Sequence, residues 1–490
     1  MAVSTARAST RTLSHVLLAG LNPLSPPSSS SSSALSGAAR QSPSNPALAP
    51  VPFTGWLASV GRELDTTAPI RLVPSALAAG AGHQLVAYRN YEGVERILAL
   101  GRNEAGQLGV GFASQEGTRG LVEGFEGDGV LAARASVQAS YLLVRDGGAS
   151  PLLQPCESFT PNVHSTRLYS TGNLARGRLG HPALFPPAHA LEAHEEPRQY
   201  SLPRAAAVPL PEGLGRIKQI EAGFEHLLIL TAEDGEIYGT GCNTDGQLGL
   251  GAATSDVYQL TRLPLPGEVA KEGGVERISA GADTSALVTK SGTLWVWGNS
   301  EYAQGMHGDK IDQIASPLPV RPSFLPSNRR LVDYRCGGSF ALALDDRGSV
   351  YSAGFGALGL GAGTLHSMVP QRVERLEGAG VSRIRAGWGH AAAVRDHATD
   401  SALYTWGLNT PHGRLGHGAL PPSPTSPSSL DPSVPPAVAP HAHEPTEVRL
   451  PLRAVGLEDG ADEGARWELG EVECGMESLW VELRVEEDVD

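Results

Sequence analysis

The sequence predicts an all-β chain folded as a closed seven-bladed β-propeller with N- and C-terminal strands sharing the last blade, and three observations carry that prediction. A Gly-x-x-(His or small) step recurs at Gly80, Gly223, Gly281, Gly337, Gly387 and Gly475, with Ser136 standing in once. Each step leads into an apolar stretch, a turn, a second apolar stretch and a Gly/Asn-rich corner, at a spacing of about 50 to 58 residues that two insertions of roughly 30 to 35 interrupt. The last copy, Cys474 to Leu483, lacks its corner half, and Phe53-Thr54-Gly55-Trp56, continuing to Gly61-Arg62, reads as that missing half at the other end of the chain. Strands inside so long a repeat make a radial β architecture, and joining the two ends removes the open sheet edge.

The N-terminus comes first. Met1 to Arg62 contains no Asp or Glu, while Arg7, Arg11, Arg40 and Arg62 stand among many Ser and Ala, which is the composition of a mitochondrial transit peptide. Val3, Leu13, Val16, Leu17 and Leu18 set among Arg7, Arg11 and His15 predict a cationic amphipathic helix over the first twenty residues. The apolar run Val16 to Leu21 is too short to span a membrane. Ser28 to Ser33 and the Pro-rich stretch to Pro52 predict a flexible linker with processing near Arg40. The expected organisation is a transit peptide and disordered linker over 1–48 and the propeller over 50–490, placing the protein in the mitochondrial matrix or on the matrix face of the inner membrane. A disordered tail with no address is the alternative.

Within the repeats, glycine at fixed offsets permits positive φ and close backbone approach. The clearest copy runs from Ala222 through Gly249, with Gly241-Cys242-Asn243-Thr244-Asp245-Gly246-Gln247-Leu248-Gly249 as its corner. Stretches such as Ala286 to Thr289, Leu294 to Trp297 and Ala341 to Leu344 are short, apolar and bounded by turn dipeptides, so they predict hairpins. Insertions near 148–165, 181–205 and 419–450, rich in Pro, Ser and Ala, are expected to be loops.

Composition narrows the chemistry. With 38 Lys and Arg against 52 Asp and Glu the formal charge is −14, which argues against extensive direct nucleic-acid contact and leaves Arg321, Arg329 and Arg330 as a small local basic patch. Cys156, Cys242, Cys336 and Cys474 form no Cys-x-x-Cys pair and suggest neither zinc nor a disulfide framework. His83, His226 and His390 share one slot in three repeats, which fits a blade histidine bonded to a neighbouring turn better than a catalytic base. No nucleophile elbow, phosphate loop or His-Glu-x-x-His appears, and His441-Ala442-His443-Glu444 sits in a Pro/Ser-rich loop. No catalytic residue, cofactor or metal site is therefore assigned, and the chain is not expected to be an enzyme in the covalent sense.

These motifs resemble the regulator of chromosome condensation propeller family, whose repeat pairs a Gly-x-x-His step with a Trp-Gly-x-Asn-x-x-Gly-Gln-Leu-Gly corner. The resemblance spans about residues 50 to 490. Trp297-Gly298-Asn299-Ser300-Glu301-Tyr302-Ala303-Gln304 and the shortened corner Gly354 to Gly359 resemble its mitochondrial, exchanging-factor-like branch. The resemblance implies guanine-nucleotide exchange or regulation of a mitochondrial GTPase. The alternatives are a non-catalytic scaffold for mitoribosome assembly or rRNA modification, and a nuclear or cytosolic regulator of this type. The counterpart of the family's wedge is expected near Ser136, Ser140 and the Leu152 to Arg167 excursion. Candidate interaction residues are Glu225 and Asp283, which share the position before the His slot, Trp388 in the equivalent rim, and Asn299, Glu301 and Tyr302 of the branch-marking corner.

Overall fold

The computed structural model describes residues 9–21, 44–51, 71–89, 93–126, 129–146, 166–184, 200–252, 255–321, 323–396, 401–410, 412–418, 441–455 and 466–489. Their strands make seven four-stranded antiparallel sheets. Blade 1 holds β3 (Arg71–Ala79), β4 (His83–Arg89), β5 (Glu95–Asn103) and β6 (Ser114–Leu121). Blade 2 holds β7 (Val130–Ala135), β8 (Ala139–Arg145), β9 (Thr166–Asn173) and β10 (Ser201–Ala207). Blade 3 holds β11 (Ile217–Ala222), β12 (His226–Thr231), β13 (Ile237–Gly241) and β14 (Val257–Arg262). Blade 4 holds β15 (Val275–Ala280), β16 (Thr284–Thr289), β17 (Leu294–Asn299) and β18 (Gln313–Pro319). Blade 5 holds β19 (Leu331–Cys336), β20 (Phe340–Asp345), β21 (Val350–Phe355) and β22 (His366–Arg372). Blade 6 holds β23 (Arg383–Ala386), β24 (His390–Arg395), β25 (Ala402–Gly407) and β26 (Ala442–Glu447). The first strand of each blade touches the first strand of the next, and β27 (Arg466–Cys474) returns to β3, so the ring is closed.

Blade 7 is built from both ends of the chain, in the order β2 (Ser44–Pro50), β1 (Ser9–Leu21), β28 (Ser478–Val489), β27. Sharing of the last blade is as the sequence predicts, but the strands that do it are not. Phe53 to Arg62 lies outside the described residues, and the segment expected to be a helical leader and loose linker supplies β1 and β2 instead. β1 runs beside β28 from Ser9↔Val489 to Gly20↔Ser478. The run Val16-Leu17-Leu18-Ala19 is buried throughout. Val16 and Leu18 pack with blade 1, while Leu17 and Ala19 pack with Ala392, Val394 and Leu403 of blade 6. A strand covered on both faces reads as a continuous apolar run, the pattern that resembles one side of an amphipathic helix when no neighbour is known.

Two expected loops are corrected in the same way. β10 begins inside 181–205 and β26 falls inside 419–450; each is the outermost strand of its blade, with a single buried residue, Ala205 and Pro445 respectively. An edge strand needs little apolar sequence, so it leaves a weak signal. Residues 147–165, 185–199 and 419–440 lie outside the described residues.

The two sets of glycines do different work. Corner glycines such as Gly241 (φ 115°) and Gly246 (φ 77°) need the left-handed region. Step glycines do not; they let neighbouring blades touch. A Cβ on Gly337 would sit 2.5 Å from the Gly387 carbonyl oxygen. Backbone bonds cross the blade boundaries there, from Ala81 N to Ser136 O (3.1 Å), Ala282 N to Gly337 O (3.3 Å), Gly338 N to Trp388 O (3.2 Å) and Met476 N to Gly80 O (3.2 Å).

Candidate partner-binding face

The hairpin register brings each step and each corner to one face. His83, His226, Thr284, Phe340 and His390 lie opposite the corner glycines Gly101, Gly241, Gly298, Gly354 and Gly407. The next amide then bonds back to the residue before the slot: Cys242 N to Glu225 O, Asn299 N to Asp283 O, Phe355 N to Ser339 O and Leu408 N to Gly389 O, each at 2.8 Å. All six candidate interaction residues therefore share one face.

Its centre is aromatic. Phe224 of blade 3 and Trp388 of blade 6 stack across the channel mouth with ring centroids 4.5 Å apart and planes 11° apart. Trp388 keeps 46% of its surface exposed, while its ring also lies close to Gly338 of the adjacent blade 5. The same face exposes Leu408, whose amide bonds Gly389 O beside Trp388, together with Phe355 and Tyr302. The Tyr302 and Phe355 ring centroids lie 5.9 Å apart, and His366 borders Phe355 at 6.5 Å. Phe224, Phe355 and Leu408 are contributions that sequence reasoning missed; only their corner and step offsets pointed to them. Tyr302 is held by a strained corner, since Ala303 takes φ 68° where Gly246 sits in blade 3. Asn299 serves that corner, its Oδ1 accepting from Glu301 N and Gln304 Nε2, both at 3.1 Å, while Glu301 remains exposed.

The acidic members are tied into blade-to-blade clamps. The corner residue Arg178 donates to Glu225 Oε1 at 2.6 Å. Its equivalent Gln247 donates to Asp283 Oδ1 at a long 3.4 Å. Buried Arg414, a third equivalent, donates to Met476 O at 2.5 Å and is attracted by Glu477. Burial first, then Asp245 and Glu225, raise the Asp283 carboxyl to about 6. On the basic side, Arg329 is committed to Asp345 (2.7 Å) and Ser349, and Arg330 faces Asp346 at 3.6 Å, so two members of the expected local basic patch are neutralised where they stand, while Arg321 is exposed. His441 Nδ1 accepts from Asn409 N at 2.8 Å, a structural use of one member of the His441 to Glu444 cluster.

The histidine slot is an interblade staple. His83 Nε2 bonds Ser140 Oγ and His226 Nε2 bonds Ser285 Oγ, each at 2.9 Å, and each serine donates back to a corner carbonyl, Gln107 or Gln247. Ser140 is thereby absorbed into the blade contact. His390 has Leu479 at the position equivalent to those serines. Burial lowers His83 to about 4 and His226 to about 3, below the ordinary 6.5. Between these values the unfolded chain binds protons that the folded chain does not, so stability is full above pH 6.5 and falls on acidification, by on the order of 2 kcal/mol per histidine at pH 5. The thermal midpoint is expected to drop from pH 7.5 to pH 5, and His226→Gln to flatten that drop. An equally steep profile in the variant would show that His226 does not titrate in this window.

Beneath the aromatic stack lies a cavity of about 140 Å³ ringed by the seven steps. Arg134, Glu221, Arg335, Arg385 and Glu473 line it one turn of the pleat below. Glu221 bonds Arg134 and Arg335 at 3.2 Å; burial pushes its carboxyl up, but the two guanidiniums and Gln219 bring it down to about 2. Arg385 reaches Glu471 at 3.2 Å and Glu473 at 3.7 Å. Two further wall residues, Cys336 and Cys474, have thiols pushed by burial to about 11 and about 12. Among the described residues no group of three His, Cys, Asp or Glu is placed to hold a metal, and no helix is long and apolar enough to cross a membrane.

This geometry matches known proteins. Profiles described as Regulator of chromosome condensation (RCC1) repeat match residues 217–247 and 275–304, and also 234–288 and 347–394. The RCC1-like G exchanging factor-like protein of Homo sapiens is 29% identical over 367 residues, covering 71% of this chain and 69% of the relative. The chain carries RCC1 repeats in a seven-bladed propeller. The ultraviolet-B receptor UVR8 of Arabidopsis thaliana is 27% identical to this propeller over 359 residues, covering 72% of the chain and 69% of the receptor. The crystal structure of human WBSCR16 superimposes with a TM-score of 0.66 at 22% identity, covering 96% of this chain and 98% of that one. Prp20p of Saccharomyces cerevisiae, described with its binding to Gsp1p and histones, gives 0.60 at 16% identity over 98% and 92%. At these identities the two structures speak for the fold alone.

Proposed function

We propose that this RCC-type propeller is a regulatory factor of the exchange type, holding a guanine-nucleotide-binding protein of mitochondria on its corner face. The observation that carries the reading is a set of apolar side chains on one face, namely the Phe224–Trp388 stack with Trp388 exposed, the exposed Tyr302–Phe355 pair and exposed Leu408, on steps and corners that the clamps and staples hold rigid. Exchange requires no covalent chemistry, only tighter binding to the nucleotide-free GTPase than to its loaded form. The human relative's description as an exchanging-factor-like protein supports this class. The acid-free N-terminus supports the mitochondrial address.

The test is release of a fluorescent guanine nucleotide from a mitochondrial dynamin-like fusion GTPase at substoichiometric propeller. Acceleration of at least tenfold is expected. Trp388→Ala and the Tyr302→Ala/Phe355→Ala pair are each expected to weaken it by about tenfold or more, the size typical of an aromatic hot spot, at an unchanged thermal midpoint. Binding without acceleration would instead favour a scaffold for mitoribosome assembly, and no binding would remove the proposal. For the address, a chain tagged at Asp490 should be compared with one lacking residues 2–8, because that deletion spares β1. Signal outside mitochondria from the full chain would refute the location.

A further inference from the structure

The clamp series contains one exception. In blades 3 and 7 the step contributes a carboxylate, Glu225 or Glu477, and the preceding corner answers with Arg178 or Arg414. In blade 4 the step contributes Asp283, and the corner answers with the neutral amide of Gln247 at 3.4 Å. The charged groups acting on Asp283 are Asp245, Glu225 and Arg176. Arg176 is itself committed to Asp256 at 2.9 Å. Asp283 follows Ala282, whose carbonyl accepts the Phe224 amide at 3.0 Å, so the backbone that carries this half-compensated carboxylate adjoins that of Phe224 in the Phe224–Trp388 stack.

We infer that a protein partner supplies the missing cation: the face takes a segment that sets an arginine or lysine head beside Asp283 and rests an apolar side chain on the Phe224–Trp388 stack. The inference rests on the docking reading above and adds the chemistry of the docked segment. An arginine suits both halves of the site, because its stem covers apolar surface while its head pairs with a carboxylate and lies over an aromatic face. Acidic flanks beside an apolar patch select such a segment over an acidic or purely apolar one.

The probe is acetyl-Gly-Arg-Leu-Gly-amide, with the Gln-for-Arg peptide as control, read by quenching of tryptophan fluorescence; Trp388→Phe identifies the signal. The Arg peptide is expected to bind saturably and the Gln peptide at least tenfold more weakly. Asp283→Asn and Gln247→Arg are each expected to weaken the Arg peptide at least tenfold, the second because it installs the guanidinium that Glu225 already has. Both variants are expected to raise the thermal midpoint at pH 7. A carboxyl held above its ordinary range makes the folded chain lose stability as pH rises from about 4 to about 6. The midpoint advantage of Asp283→Asn should therefore grow over that interval. Arg-peptide binding unchanged in either variant, equal binding of the Gln peptide, or a lowered midpoint in Gln247→Arg would overturn the inference. Should Trp388→Ala abolish GTPase exchange while Asp283→Asn and Gln247→Arg leave it intact, the docking reading stands and this inference falls; should all three leave it intact, both fall.

Discussion

A chain lacking residues 2–48 is expected to lose its cooperative unfolding transition and to self-associate. The deletion removes β1 and nearly all of β2, and with them Val16, Leu17, Leu18 and Leu48, all 5% exposed or less. Burial of each such side chain contributes about 1.5–3 kcal/mol, so the four together account for roughly 10 kcal/mol, comparable to the whole stability of a typical domain. The loss extends to the ladder, because β28 pairs with β1 along nearly its full length and would become a long apolar edge. Light scattering and calorimetry of the two chains decide the matter; a truncated chain that stays monomeric and melts within a few degrees of the full one would show that β1 and β2 do not close the ring. The prediction also constrains the address. If a leader is removed on import, N-terminal sequencing of protein recovered from mitochondria should find the cut at or before Ser9, since processing near Arg40 would strip β1 from blade 7.

How much was legible follows from how each feature is encoded. The seven steps and the corners are local, repeated and dependent on glycine, so they stand out of the sequence and give the blade number and the closure. The identity of the closing strands was hidden, because Val16 to Ala19 is apolar on both faces and nothing local says which sheet it enters. The face itself was half visible. Trp388, Tyr302, Glu225 and Asp283 follow from repeat offsets, and the register then places them together. The pairing of Phe224 with Trp388 joins residues 164 positions apart in blades that are not neighbours in the ring, and no periodicity announces it. Likewise, the clamp roles of Arg178 and Gln247 depend on which blade follows which around the ring. The same knowledge separates Glu225, which meets an arginine, from Asp283, which meets the neutral Gln247 amide.

Glu221→Ala is expected to cost about 3–5 kcal/mol, the largest effect of any single substitution in the channel. Glu221 is 5% exposed and receives Arg134 through both Nε and Nη2, Arg335 through Nη1 and Gln219 through Nε2. Arg335 would retain Asp333 at 3.2 Å, but Arg134 would keep only its bond to the Ala133 carbonyl and the non-bonded attraction of Glu473, a part-buried guanidinium stripped of its bonded counter-charge. The pH dependence distinguishes this from simple loss of packing. Held at about 2, the Glu221 carboxylate contributes fully above its ordinary range near 4.5 and loses that contribution as pH falls toward 2. Urea unfolding of the wild type and Glu221→Ala should therefore differ most at pH 7 and converge near pH 2 to 3. A second variant tests the pairing itself: Arg134→Leu with Glu221→Leu should cost less than the sum of the two single changes, because neither charge is then orphaned. A constant gap across pH, or strict additivity of the pair, would show that Glu221 acts through its volume and not its charge. Because Glu221 near the end of β11 is three residues before Phe224, the ring of charges also fixes the base of the aromatic stack, and Glu221→Ala is expected to weaken partner binding on the corner face even where the propeller remains folded.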